Sequence, residues 1–233
     1  MLRRASDAKV AARARIYFKP HEKLQFHGVT TARAREIEKS LHAKVKGQWS
    51  QNEALRFCGI LVKEGSQEAK GIGFGLLSRY HRSFQQEMID DAEGWLAQDL
   101  CANWAAVDDL CPRVLTPLVR RFPVLIPRVK RWSRSRNLWL RRASAVTFVP
   151  MARHGECLDD SYAVAESLFG DSEDLIHKAV GWLLREAGRT DMKRLEKFLR
   201  QRGAAMPRTT VRYAIERFPE TRRRALLETT RIP

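Results

Sequence analysis

The sequence predicts an all-α fold, a single solenoid of about six helical pairs, on three observations. Apolar residues recur at helical spacing nearly everywhere. Helical patterns beginning at Lys70, Asn103, Arg141, His177 and Val211 start 33, 38, 36 and 34 residues apart, and a period this close to constant marks stacked helical hairpins. No long polar linker or low-complexity tract interrupts the chain, so residues 1–233, 44% of them hydrophobic, read as one domain with a well-filled core.

Taken in order, residues 1–15 form a basic N-terminal arm, flexible or helical, with no apolar stretch behind it and so no secretory signal. Strand-like alternation is confined to residues 14–18 and 23–26, where a helix end followed by an extended segment is expected. Thr30 or Thr31 caps a helix running to about Val45, with Glu36 and Glu38 near its start. Residues 50–64, 66–84, 85–96 and 174–189 each place apolar side chains on one side, and 137–149 is a further helix. Pro112, Pro117, Pro123, Pro127, Pro150 and Pro207 mark first turns, ends or kinks. Gly155, Gly170 and Gly203 read as stops between helices. Gly71, Gly73 and Gly75 lie inside a helical run with no preceding strand, which suits close helix packing and not a phosphate loop.

Charge narrows the function. A formal net charge of +16 points to nucleic acid or an anionic membrane surface, and the lack of any run of about 18 apolar residues excludes a transmembrane helix. Cys58, Cys101, Cys111 and Cys157 are scattered without a C-x-x-C pair, which fits reduced thiols in a cytosolic chain and neither zinc nor a disulfide framework. The histidines show no metal-binding spacing, and no nucleophile elbow or Cys-His signature appears, so no metal and no cofactor are expected. Residues 110–155 contain no acid, yet hold Arg113, Arg120, Arg121, Arg128, Lys130, Arg131, Arg134, Arg136, Arg141, Arg142 and Arg153. Arginine forks match phosphate oxygens well. A local positive field is therefore expected here, although an ordinary solvated helix face has the same composition.

The repeat also selects residues. Its second position holds Gly71, Trp104, Arg142, Lys178 and Arg212, and its sixth holds Gly75, Asp108, Val146, Trp182 and Glu216. Positions four apart share one helix face, so stacking sets two indoles, an acid and several cations along a common stripe. Asp109 lies about 100° further around its helix than Asp108 and faces away. A packing role for Trp104, a surface phosphate contact for Arg142 and a core role for Trp182 fit the same spacing.

Three segments, Asn103 to Asp108, Trp139 to Ala143 and His177 to Glu186, resemble the HEAT-like-repeat DNA alkylation repair proteins, the AlkD-type alkylpurine DNA glycosylases, and the basic run from Pro207 to Arg224 is similar too. The resemblance implies a HEAT-like solenoid whose concave basic face holds double-stranded DNA, and a monomer working in the bacterial cytosol and nucleoid. It implies hydrolysis of the N-glycosidic bond of purines alkylated at N3 or N7, without rotation of the base into a pocket. The catalytic set then falls on Trp104, Asp108, Arg142 and Trp182. Lys178, Arg185, Arg212 and the cations of residues 120–153 become the expected DNA contacts. Relatives on this fold resemble these enzymes but bind branched or junction DNA without excision, and the proline-broken basic stretch 120–136 leaves that alternative open.

Overall fold

Short polar side chains start the helices. Asn103 Oδ1 accepts the backbone N–H of Ala106 at 2.8 Å, Asn137 Oδ1 those of Trp139 and Leu140 at 2.8 and 3.1 Å, and Thr30 Oγ1 that of Arg33 at 3.3 Å. Ser50 and Glu53 complete a reciprocal capping box, each side chain accepting the other's backbone N–H. Each such cap satisfies an otherwise orphaned helix donor.

The computed structural model describes residues 2–18 and 24–231, which divide into two compact units, Met1–Pro123 and Val124–Pro233. The first unit carries α1 (Ala8–Arg15), α2 (Thr31–Val45), α3 (Gln51–Glu64), α4 (Gln67–Ser78), α5 (Met88–Ala97), α6 (Trp104–Leu110) and α7 (Thr116–Arg121). The second carries α8 (Ile126–Arg131), α9 (Leu138–Val146), α10 (Val149–Arg153), α11 (Leu158–Ser167), α12 (Asp174–Ala187), α13 (Met192–Arg202), α14 (Arg208–Ala214) and α15 (Glu220–Thr229). The all-α fold that the periodicity predicts is the one observed.

Within each unit the helices stack in the order the repeat requires. In the first, α4 packs against α3, α2 and α6 around Ala54, Cys58, Phe74 and Leu77, all fully buried. In the second, α12 packs against α9, α10, α11 and α14, and buries Ile176, Val180, Leu183 and Leu184. Polar contacts carry the same signature. Arg79 to Glu38, Lys130 to Asp160, Arg141 to Asp171, Arg153 to Glu186 and Thr210 to the His177 carbonyl span 41, 30, 30, 33 and 33 residues. These separations are about one repeat, as expected when each hairpin touches only its neighbours.

Several boundaries differ from the expected ones. The helix expected over 66–84 ends at Ser78 and passes into a 3-10 turn at His81–Ser83. The helix expected over 137–149 stops at Val146, and α10 begins two residues past Thr147, with Pro150 in its first turn where the missing N–H does no harm. Residues 8–15 of the N-terminal arm are helical, and the alternation at 14–18 belongs to the end of α1 and the turn after it. Lys23, and with it the start of the extended segment expected at 23–26, lies outside the described residues; Gln25 makes an isolated parallel bridge with Ser66. Between α6 and α7 the chain makes a π turn, Cys111–Leu115, in which the Thr116 N–H reaches the Cys111 carbonyl. Pro112 and Pro117 cannot supply the α-helical donors owed to the carbonyls four residues earlier, so the ladder shifts register.

The glycines of α4 serve packing, as their spacing suggests. A Cβ on Gly73 would stand 3.2 Å from Cys58 Sγ, and one on Gly75 would stand 3.2 Å from Glu38 Cγ.

Candidate nucleic-acid interface

Helix α6 sets Trp104 at its first position and Asp108 one turn later, and both side chains are partly exposed. They share a face by helical geometry. Trp104 is not sealed in a core; one side of its ring stacks on Phe18, with centroids 5.2 Å apart and planes 17° apart. Phe18 in turn meets Phe26 at 5.5 Å. No periodicity pointed to Phe18, which the chain delivers from outside the repeats. The π turn begins three residues after Asp108, and such turns concentrate at functional sites.

Asp109 faces elsewhere, as the helical angle requires. Its Oδ1 takes the Arg113 Nε at 2.5 Å, and with Arg35, Glu38, Gly71 and Phe26 it lines a cavity of about 370 Å³. Burial pushes its carboxyl above the ordinary aspartate range although Arg113 and Arg35 pull it down.

In the second unit α9, α12 and α14 stand side by side. Trp182 on α12 is partly exposed, and Lys178, one turn before it, holds Asp174 at 2.8 Å. That hydrogen bond keeps the Lys178 ammonium above its usual range. Gly181 lets α14 approach closely, for a Cβ there would stand 2.8 Å from the Thr210 carbonyl oxygen. Arg212 is exposed on α14. The charge of Arg142 opposes that of Lys178. Arg142 is not on an open surface, however: the residue is only 4% exposed, and its Nη1 donates to the Leu175 carbonyl in the first turn of α12 at 2.5 Å.

The acid-free stretch is not a field without counter-charges. Asp109 pairs with Arg113, Asp160 with Lys130 at 2.7 Å, Asp171 with Arg141 at 2.6 Å and Glu186 with Arg153 at 2.8 Å. Three of these acids come from the next repeat, which a local reading of the sequence does not see. Lys178 and Arg185 also hold acids, Asp174 and Glu216. Arg120, Arg121, Arg131, Arg134 and Arg136 are exposed, while Arg128 is half-buried. Sequence reasoning passed over Glu186, whose side chain is 1% exposed beneath Arg153, Arg185, Arg189 and Arg217.

A family model described as DNA alkylation repair enzyme matches residues 1–218. The chain belongs to the DNA alkylation repair enzyme family. A solved structure, the "Predicted DNA alkylation repair enzyme from Enterococcus faecalis", superposes with a TM-score of 0.80 over 92% of this chain and 97% of that one, at 17% identity. The two share a fold. A comparison with curated proteins gives no match. For a DNA alkylation repair enzyme, a strongly basic chain with partly exposed indoles and a partly exposed acid on its repeat helices has the composition a DNA substrate requires. Among the described residues no helix is long and apolar enough to cross a membrane, and no group of three or more His, Cys, Asp or Glu side chains is placed to hold a metal ion.

Proposed function

We propose that this member of the DNA alkylation repair enzyme family is a glycosylase that hydrolyses the N-glycosidic bond of cationic N-alkylated purines, of the 3-methyladenine and 7-methylguanine type, in double-stranded DNA. The observation that carries the reading is the Trp104–Asp108 pair, partly exposed and one turn apart on α6.

Alkylation at N3 or N7 makes the purine a cation and a good leaving group, so no strong general acid is needed to expel it. Positive charge then grows on the deoxyribose as the bond breaks, as in glycoside hydrolysis. The Asp108 carboxylate stabilises that charge and orients the attacking water. The Trp104 indole offers a negative π face to that cationic sugar, and Trp182 in the second unit is a further aromatic candidate for the DNA contact. Arg142, buried and bound to the Leu175 carbonyl, acts through α12 as a positioning residue for Trp182 and not as an open phosphate contact. No step rotates the base into a pocket, and the protein works as a monomer in the bacterial cytosol.

Release of free 7-methylguanine from methylated duplex tests this reading. Wild type should release base and Asp108→Asn should lose at least a hundredfold of the rate while keeping duplex affinity. Equal release by both, or none above background by wild type, removes the proposal.

The exposed Arg120, Arg121, Arg131, Arg134 and Arg136 favour a second reading, binding of branched DNA without excision. Tighter binding to four-way junctions than to linear duplex at moderate salt, with no base released, supports it; equal affinity for the two excludes it.

A further inference from the structure

We propose that Arg153, Arg189 and Arg217, gathered on the buried carboxylate of Glu186, form a clamp for one DNA phosphodiester beside Trp182. The proposal rests on the reading of DNA as the substrate and goes beyond it in naming the site. Glu186 lies one turn after Trp182 on α12, so the two side chains share a face. Arg153 Nε meets Glu186 Oε2 at 2.8 Å, Arg217 Nη2 meets Oε1 at 3.2 Å, and Arg189 Nη1 lies 3.5 Å from Oε2. Arg185 Nε stands 3.4 Å from Oε1 and its guanidinium also holds Glu216.

Two features separate this cluster from a structural ion pair. The first is its exposure pattern: the Glu186 side chain is 1% exposed, whereas those of Arg153, Arg189 and Arg217 are 41%, 43% and 46% exposed. The carboxylate is the floor and the guanidiniums are the rim. The second is stoichiometry. Four guanidiniums face two carboxylates, and each carries five N–H donors against about four acceptor sites on one carboxylate. One carboxylate cannot engage all the donors of the rim, and the rim side chains, 41–46% exposed, leave guanidinium surface for a further anion. Three successive repeats supply the rim: Arg153 from the end of α10, Arg189 just past α12, and Arg217 from the turn after α14. The forks are thus set in place before binding, which lowers the ordering cost of gripping a phosphate.

The test measures binding of a short unmodified duplex by fluorescence anisotropy over a salt series. Arg153→Ala, Arg189→Ala and Arg217→Ala should each weaken binding about tenfold, and together should lower the slope of log K against log salt by about 0.9, one phosphate contact. Lys44→Ala with Lys46→Ala, exposed on and just past α2, controls for loss of charge alone and should change binding less than threefold. Glu186→Gln is decisive in sign. Removing a negative charge tightens DNA binding if only net charge matters, whereas loss of the clamp's floor weakens it. Tighter or unchanged binding by Glu186→Gln with the helical circular dichroism intact overturns the proposal. So does wild-type affinity in Arg189→Ala and Arg217→Ala, half-exposed positions that remain informative should Glu186→Gln fail to fold. Inorganic phosphate is the second probe: thermal stabilisation by phosphate that depends on these arginines, without any change in duplex affinity, assigns a free-anion site and also overturns it. Because this duplex is undamaged, its binding does not depend on excision: a wild type that binds it but releases no base from methylated duplex sinks the glycosylase reading and leaves the clamp standing. A wild type that excises while the arginine variants bind normally does the reverse.

Discussion

Trp104 and Phe18 lie face to face, with ring centroids 5.2 Å apart and planes 17° apart. The phenyl ring covers one face of the indole, and Trp104 as a whole stays partly exposed. An offset stack of this kind contributes about 0.5–1.5 kcal/mol beyond simple burial, enough to hold one indole rotamer in a partly exposed position. Phe18→Ala should therefore slow base release about three- to tenfold while duplex affinity stays unchanged, with a red-shifted tryptophan emission reporting the freed ring. Wild-type excision in this variant would show that Phe18 merely packs.

The neighbouring acids of α6 should separate by experiment. Asp108→Asn is expected to lose excision, whereas Asp109→Asn should retain most of it, because Asp109 holds Arg113 and faces the cavity. Burial raises the folded-state pKa of Asp109. Its ionised form is thus disfavoured by folding, and stability present below the ordinary aspartate pKa, about 3.9, is lost as pH rises through the raised value. Measured by urea denaturation, the stability of Asp109→Asn relative to wild type should improve on going from pH 4 to pH 7. A difference independent of pH would mean that Asp109 ionises as freely folded as unfolded.

What the sequence made legible was local or periodic. The Thr30 and Ser50 starts, the glycine stripe of α4 and the repeat that stacks α9, α12 and α14 all rest on spacings of a few residues or on one constant period. Contacts between repeats were not legible. Arg142 shares a register position with Lys178, but whether its guanidinium turns outward or onto the Leu175 carbonyl depends on the approach of α12. Residues 110–155 look uncompensated because Asp160, Asp171 and Glu186 lie about thirty residues downstream of their partners. Phe18 was missed for a different reason: it reaches Trp104 from outside the repeats.

Glu186 should also govern the acid limb of stability. Burial alone would raise its pKa, yet the hydrogen bond from Arg153 and the charges of Arg153, Arg217 and Arg185 hold it below the ordinary glutamate range. A depressed folded pKa contributes stability that is present above the unfolded value, about 4.3, and lost as pH falls through the folded one. Wild type should therefore lose thermal stability on going from pH 5 to pH 3 more steeply than Glu186→Gln. Parallel pH profiles would show that the carboxylate has no electrostatic part in the fold.

Gly181 gives the sharpest test of how α12 and α14 are joined. A Cβ there would stand 2.4 Å from Tyr213 Cβ, 2.8 Å from the Thr210 carbonyl oxygen and 3.3 Å from Thr210 Cα. A side-chain terminus can swing aside; a backbone carbonyl and Cα move only with the helix. Gly181→Ala must push α14 away, stretching the 3.0 Å bond from Thr210 Oγ1 to the His177 carbonyl, and overpacking of this kind costs about 1–3 kcal/mol. Gly170→Ala is the matched control, since nothing lies within 4 Å of its added methyl, and reduced freedom of the unfolded chain should leave it neutral or more stable by about 0.4–1 kcal/mol. Urea denaturation of the two variants should thus give shifts of opposite sign or clearly different size. Equal midpoints would mean that α14 is not held against α12 at Gly181.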